Sequence, residues 1–422
     1  MSDEKEVGAD WQAQLEAWAA PFLEALAHPA QRSWAPIYLA GLLGPGERKS
    51  VQPMAERVAP EDHWQLHHFV CTSPWPTAPL ETVLARKANA LLGGRASHLI
   101  VDDTALVKQG KRSVGVTRQY CGELGKAANC QALVSLTLAR GEVPAPVALR
   151  LYLPEDWAAD PARREKCAVP EEIGFRPKWR IALSELDRLL AAGVKFGDVL
   201  ADTAYGEAAE FRAGLKARRL RYGVGLLAIQ KVYPAAVKLL EPEPPTGKGR
   251  PRKHPRPSCP SVSAEAMIAS LGEGAWKRLC WRKGTKGELA AEFCAVRVRV
   301  AEGALLAKGE RLPGEQAEWL VAERRAGGEV RYYLSNLPET ATLLRLARQI
   351  KARWSCEQAH EQMKRELGLD HFEGRSWNGL HHHALLTMIA FCFLQHLRLG
   401  GEKRGSSAAR RPSPACRRSG AS

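Results

Sequence analysis

The chain has 422 residues, 45% hydrophobic and 25% charged, a composition that fits a globular protein of two or three domains and excludes a disordered or collagen-like chain. Lys plus Arg number 61 against 46 Asp plus Glu, a net charge of +15, which favours a polyanionic partner: nucleic acid first, an anionic membrane surface second. No run of about 18 apolar residues stands out as a bilayer span, and Met1–Asp10 is acidic and polar, unlike a signal peptide, so the expected location is the cytoplasm.

The predicted elements begin with helices. Apolar residues recur at three- and four-residue steps from Trp11 to about Gly94, in WQAQLEAWAAPFLEALAH, APIYLAGLL and PLETVLARKANALL. This predicts an all-helical N-terminal module over residues 1–95, serving either DNA-end binding or docking and dimerisation. From Ser97 the texture turns to strands. His98–Thr104 reads as a short buried strand ending in Asp102 and Asp103, followed by strands at Gln131–Ala139 and Pro146–Leu153. A helix is expected at Lys178–Ala192, a strand at Phe196–Asp202 with Asp202 last, a helix at Glu207–Ala217 and a strand at Tyr222–Leu227. Residues 96–228 are thus the first part of an α/β domain, whose active site belongs at strand carboxyl ends.

Residues 229–336 read as a β-rich insertion into that domain. It opens with the basic, Pro-rich loop Glu241–Pro260, in which Arg250 and Arg252 suit either a narrow minor groove or a plain linker. Trp276, Trp281 and Trp319 stand among basic residues; Trp281 suits stacking on an unpaired base, or a core position. Residues 337–399 return to a helical period and complete the α/β domain. The Arg- and Ser-rich tail 400–422 is expected to be disordered. The ten cysteines form no CxxC pair, which suits free thiols in a reducing compartment and offers no zinc spacing.

Carboxylates on three separate elements are the candidates for the chemistry: Asp102, with Asp103 beside it, Asp202 and Glu357. Arg353, Glu357 and Lys364 return to one helical face, either an ion-paired solvated face or a site that holds metal beside phosphate. Clustered carboxylates are hard oxygen donors that suit two Mg²⁺ ions and in-line phosphoryl displacement. Lys108 and Lys111, beside Arg112, suit contact with a DNA backbone or a solvated loop. His360-Glu361-x-x-Lys364 begins like a zinc-protease motif but puts lysine where its second histidine belongs, and no phosphate-binding GxxxxGK[ST] loop is present. The consecutive His381, His382 and His383 point about 100° apart on a helix and cannot all grip one metal.

The spacing R-x3-E-x6-K at Arg353, Glu357 and Lys364, followed by ELGLDHFEGRSWNGLHHH, resembles the YREK-signature branch of the bacterial insertion-sequence DDE transposases. VDDTALVKQGKRSVGVTRQYCGELGKAANCQ and VLADTAYGE extend the resemblance upstream, while the signature's tyrosine is replaced by Ile350. The resemblance implies an RNase H-like fold and a metal-binding triad of Asp102, Asp202 and Glu357. It implies Asp102 rather than Asp103 because the first motif reads Asp-x-Thr, with Thr104. It further implies two Mg²⁺ ions (Mn²⁺ substituting), phosphate contacts from Arg353 and Lys364, double-stranded DNA as partner and a homodimer pairing two ends. The activity implied is strand cleavage at element ends and transfer of the 3′-OH to target DNA. Its rivals are an inactive, transposase-derived repressor and a metal-dependent nuclease without strand transfer.

Overall fold

The computed structural model describes residues 2–241, 255–284, 287–306 and 309–405. Arg250 and Arg252, and most of the basic tail, lie outside the described residues.

Among the described residues, five helices precede the first strand: α1 Ser2–Glu24, α2 Pro29–Leu43, α3 Val51–Val58, α4 His63–Cys71 and α5 Thr77–Leu92. The strands β1 His98–Val107, β2 Thr117–Cys121, β3 Lys126–Arg140 and β4 Val143–Leu151 follow, then the short helices α6 Glu155–Ala158 and α7 Pro161–Lys166. Next come α8 Lys178–Ala191, β5 Asp198–Ala201, α9 Thr203–Gly206, α10 Ala209–Ala217 and β6 Arg221–Leu226.

The third group is mostly strand: β7 Lys231–Pro234, β8 Leu239–Leu240, β9 Arg256–Pro257, β10 Val262–Ser263, then α11 Ala264–Ala269, β11 Lys277–Gly284, β12 Gly287–Val300, β13 Glu318–Arg324 and β14 Val330–Ser335. Three helices finish the described chain: α12 Leu343–Lys351, α13 Trp354–Arg365 and α14 Trp377–Gly405.

The central sheet explains where the acids meet. β3 runs antiparallel to the whole of β1, and it pairs with β2 through its first half and with β4 through its second. β5 lies parallel to β1 on the other side, and β6 parallel to β5. The order β4-β3-β1-β5-β6 fits an RNase H-like fold. Asp102 is interior to β1 rather than at its end, because β3 carries β1 on for several residues beyond the point where β5 stops, at Val101 opposite Ala201. The strands of residues 229–336 do not form a separate layer. β14 pairs antiparallel with β6, and β13, β12 and β7 continue outward, making one 12-stranded sheet.

The N-terminal helices share one continuous hydrophobic core with this sheet through α14, which packs on α2, α4, α5 and β4. Against the sequence expectation, residues Trp377–Gly400 are long and apolar enough to cross a membrane by length and composition, yet 67% of the window is buried inside the protein. Leu380, Leu385, Ile389 and Phe393 fill that core. The consecutive histidines of α14 are structural. His381 Nδ1 lies 2.9 Å from Trp377 O and its Nε2 accepts from Leu151 N in β4. His382 has its ring nitrogens 3.0 and 2.8 Å from Val70 O and Trp75 O and stacks on the Trp75 ring. His383 reaches Tyr38 Oη in α2 and Gly368 O. Burial pushes all three down to about 4, and successive 100° steps around one helix fasten three different parts of the fold.

Candidate active site

On β1 alternate side chains face opposite ways, and this separates the two neighbouring aspartates. Asp102 points with Ile100 toward α13, while Asp103 accepts hydrogen bonds from Lys178 Nζ of α8 and from Tyr205 Oη of α9. Asp103 therefore braces the strand against two helices, and it also lines the cleft that Asp102 enters. Asp202 stands one residue past the β5 register partner of Val101, and thus beside Asp102 on the adjacent parallel strand. It also caps α9, accepting from Tyr205 N at 3.3 Å, which fixes the turn that leaves the sheet there.

The third carboxylate comes from α13. The helical stretch holds two helices: α12 stops at Lys351, and α13 begins at Trp354 after a turn at Ala352 and Arg353. Cys356 seats α13 on Ile100, Ala139 and Leu200, a small apolar patch directly behind the acids. One residue on, Glu357 projects into a cleft of about 450 Å³ that Asp102, Asp202, Arg353 and Lys364 also line. The cleft opens on the Glu357 side, whose side chain is 51% exposed against 12% for Asp102.

Arg353 bridges the cleft. One guanidinium nitrogen donates to Asp102 Oδ2 and the other to Glu357 Oε1. Burial pushes the Asp102 carboxyl up to about 7 against the pull of Arg353, with Asp202 pushing the same way, and burial likewise raises Asp202. The cleft thus gathers three carboxylates around one guanidinium, and oxygen donors of this kind would suit a hard divalent ion such as Mg²⁺ or Mn²⁺. Lys364 pairs with Glu123 at 2.7 Å on the opposite wall.

The remaining sequence-predicted residues lie elsewhere. Lys108 and Lys111 line a separate cleft of about 760 Å³ with Arg48, Arg112 and Arg375. β1 separates it from Asp102 by six residues, or about 20 Å. There Lys108 Nζ is tied to the carbonyls of Asp370 and Phe372. Trp281 packs on the apolar cluster of β12, β13 and α12, edge-on to Phe293, with Lys351 Nζ 4.6 Å over its ring. The exposed tryptophan at the catalytic helix is Trp354, under the Arg282 guanidinium at 4.4 Å. Sequence reasoning missed it, and also Asp103's partners, because both depend on pairing between distant elements.

An α/β protein with this strand order and three carboxylates lining one cleft fits the class of phosphoryl-transfer nucleases. Residues 21–288 match the profile of the DDE superfamily endonucleases, and the chain belongs to that family. The matched segment contains Asp102 and Asp202 and ends before Glu357, whose place rests on geometry. The chain is also 32% identical over 187 residues to a Microchaete diplosiphon protein named "probable transposase for insertion sequence element IS701"; the match covers 44% of this chain and 46% of that relative, about half its length. Among solved structures, a piggyBac transposase synaptic complex with hairpin DNA aligns at a TM-score of 0.42 and 8% identity, covering 89% of this chain and 68% of that one.

Proposed function

We propose that this chain is a DNA transposase that cleaves a strand at each end of its element and transfers the freed 3′-OH to target DNA. The observation that carries the reading is the convergence of Asp102, Asp202 and Glu357 on one cleft, bridged by Arg353 in a strongly basic chain. In this reading Asp102, Asp202 and Glu357 hold Mg²⁺. Ions bound there supply Lewis acidity to the attacking and leaving oxygens. Arg353, released from its two carboxylates, turns its guanidinium to the flanking phosphate, where planar bidentate donation suits it. Lys364, on the same face of α13, adds a second phosphate contact once Glu123 lets go. Asp103, Tyr205 and Lys178 position β1 so that Asp102 keeps its aim. A synaptic homodimer joining two ends, acting in the cytoplasm, completes the proposal.

The test uses a supercoiled plasmid carrying the element with its own ends. Mg²⁺-dependent nicks mapping to the termini, abolished by EDTA and by Glu357→Ala, are expected. Tight binding to the ends with no nick in any divalent metal would replace this reading by a repressor, and nicks without joined products by a plain nuclease.

The basic cleft of Arg48, Lys111, Arg112 and Arg375 is assigned, in the same reading, to the duplex running away from the cut. Lys111→Ala and Arg112→Ala should each weaken binding to any duplex alike and reduce the slope of log K against log[salt] by about 1. Unchanged slopes in both variants would remove this cleft from the DNA path.

A further inference from the structure

A second set of donors, of different chemistry, lies against the carboxylate cleft. Cys356 and His360 are one turn apart on the buried side of α13, with Sγ and Nε2 3.5 Å apart. A carboxylate oxygen of Asp102 joins them, and the three atoms all lie within 4.8 Å of one another. Tetrahedral ligands at about 2.0–2.3 Å from zinc stand roughly 3.5 Å apart, so the thiol–imidazole pair is already spaced for one ion and Asp102 needs a small rotation. Ser135, opposite Asp102 in the β1–β3 register, puts its Oγ 2.8 Å from the same imidazole nitrogen, an oxygen within reach of the shell. All three residues are buried, and His360 also lines the cleft, which gives an ion its way in.

We propose that Asp102, Cys356 and His360 bind one divalent ion of the zinc type, and that this ion withdraws Asp102 from the cleft and blocks DNA cleavage. Thiolate and imidazole select such a metal over Mg²⁺, which wants oxygen throughout. On binding, the Cys356 thiol loses its proton to solvent and Arg353 gives up its hydrogen bond to Asp102, keeping Glu357. The binding half stands on these residues alone. The block rests on the reading of the three carboxylates as the cleavage site.

The experiment titrates the full chain with Co²⁺, whose thiolate charge-transfer absorption reports a cysteine ligand without any reaction. One equivalent should raise the band in the wild type, Zn²⁺ should erase it, and a large excess of Mg²⁺ should not. Cys356→Ser and, as a second check on folding, Cys356→Ala should lack the band while melting as two folded proteins. A band that persists in both variants, or is absent from the wild type, overturns the site. In Mg²⁺-supported cleavage, Zn²⁺ should inhibit the wild type at least tenfold more strongly than Cys356→Ser, each measured against its own uninhibited rate; equal inhibition overturns the block. A cobalt band in a protein that cleaves no DNA refutes the transposase reading and supports the site.

Discussion

Asp202→Asn is expected to lower strand cleavage at element ends by about a thousandfold or more, the scale on which losing one preorganised charge-stabilising group is felt in a dry site. The same variant should bind end-containing duplex within about threefold of the wild type, because the basic surfaces, not this carboxylate, supply phosphate contacts. Asn is chosen because it caps helices as well as Asp does, so the turn into α9 and its bond from Tyr205 N survive. A fall in activity therefore reports the lost charge. Asp102→Asn is a poorer probe, since it also unbinds Arg353. Single-turnover cleavage of end-labelled substrate beside a mobility-shift titration measures both quantities. Wild-type cleavage by Asp202→Asn would end the metal-triad reading.

The largest effect on stability is expected away from the cleft. Arg150 of β4 holds Glu81 of α5 through both carboxylate oxygens and Glu185 of α8 through Nε at 2.7 Å, with Arg188 closing the network. Glu81 is only 2% exposed. Arg150→Ala leaves its charge buried without the partner that held it and should cost about 3–5 kcal/mol, seen as a markedly lower melting temperature. The acid arm of the stability profile tests the cause. Burial raises the Glu81 carboxyl, but Arg150 overcomes it and holds it down to about 2. A depressed carboxyl contributes stability above its unfolded value, near 4.3, and loses it as pH falls toward 2. In Arg150→Ala only Arg188 and Thr77 still oppose the burial that raises Glu81, so its carboxyl should rise and the loss of stability in acid should shrink. A variant that melts like the wild type across this range would show the network to be energetically idle.

How much of this was legible in the text follows from what each feature depends on. Alternating and helical periods are local, and they place α8, β5, α10 and β6 within a few residues. Asp102, Asp202, Arg353, Glu357 and Lys364 were named as one group, and they do line one cleft. Asp102 and Asp103 both line that cleft, and their partners differ: Asp102 meets Arg353, while Asp103 meets Lys178 and Tyr205. Other features needed the third dimension. β2 is a five-residue polar strand, made by pairing with β3 and not by its own pattern. The break at Ala352 and Arg353 carries no Pro or Gly to announce it. Helical geometry shows that the three histidines cannot share one metal, and their partners at Leu151, Val70, Trp75, Tyr38 and Gly368 reveal a core row.

That unannounced break has a further meaning. α12 is rooted in the outer strands, through Leu346, Ala347 and Ile350 against Phe293 and Val321. α13 is rooted in the inner strands, through Cys356 against Ile100 and Leu200. The residue at the joint is Arg353, the one side chain that links Asp102 to Glu357. The two helices are thus fixed to different parts of the sheet, so any shift of the outer strands against the inner ones falls on the joint that carries Arg353.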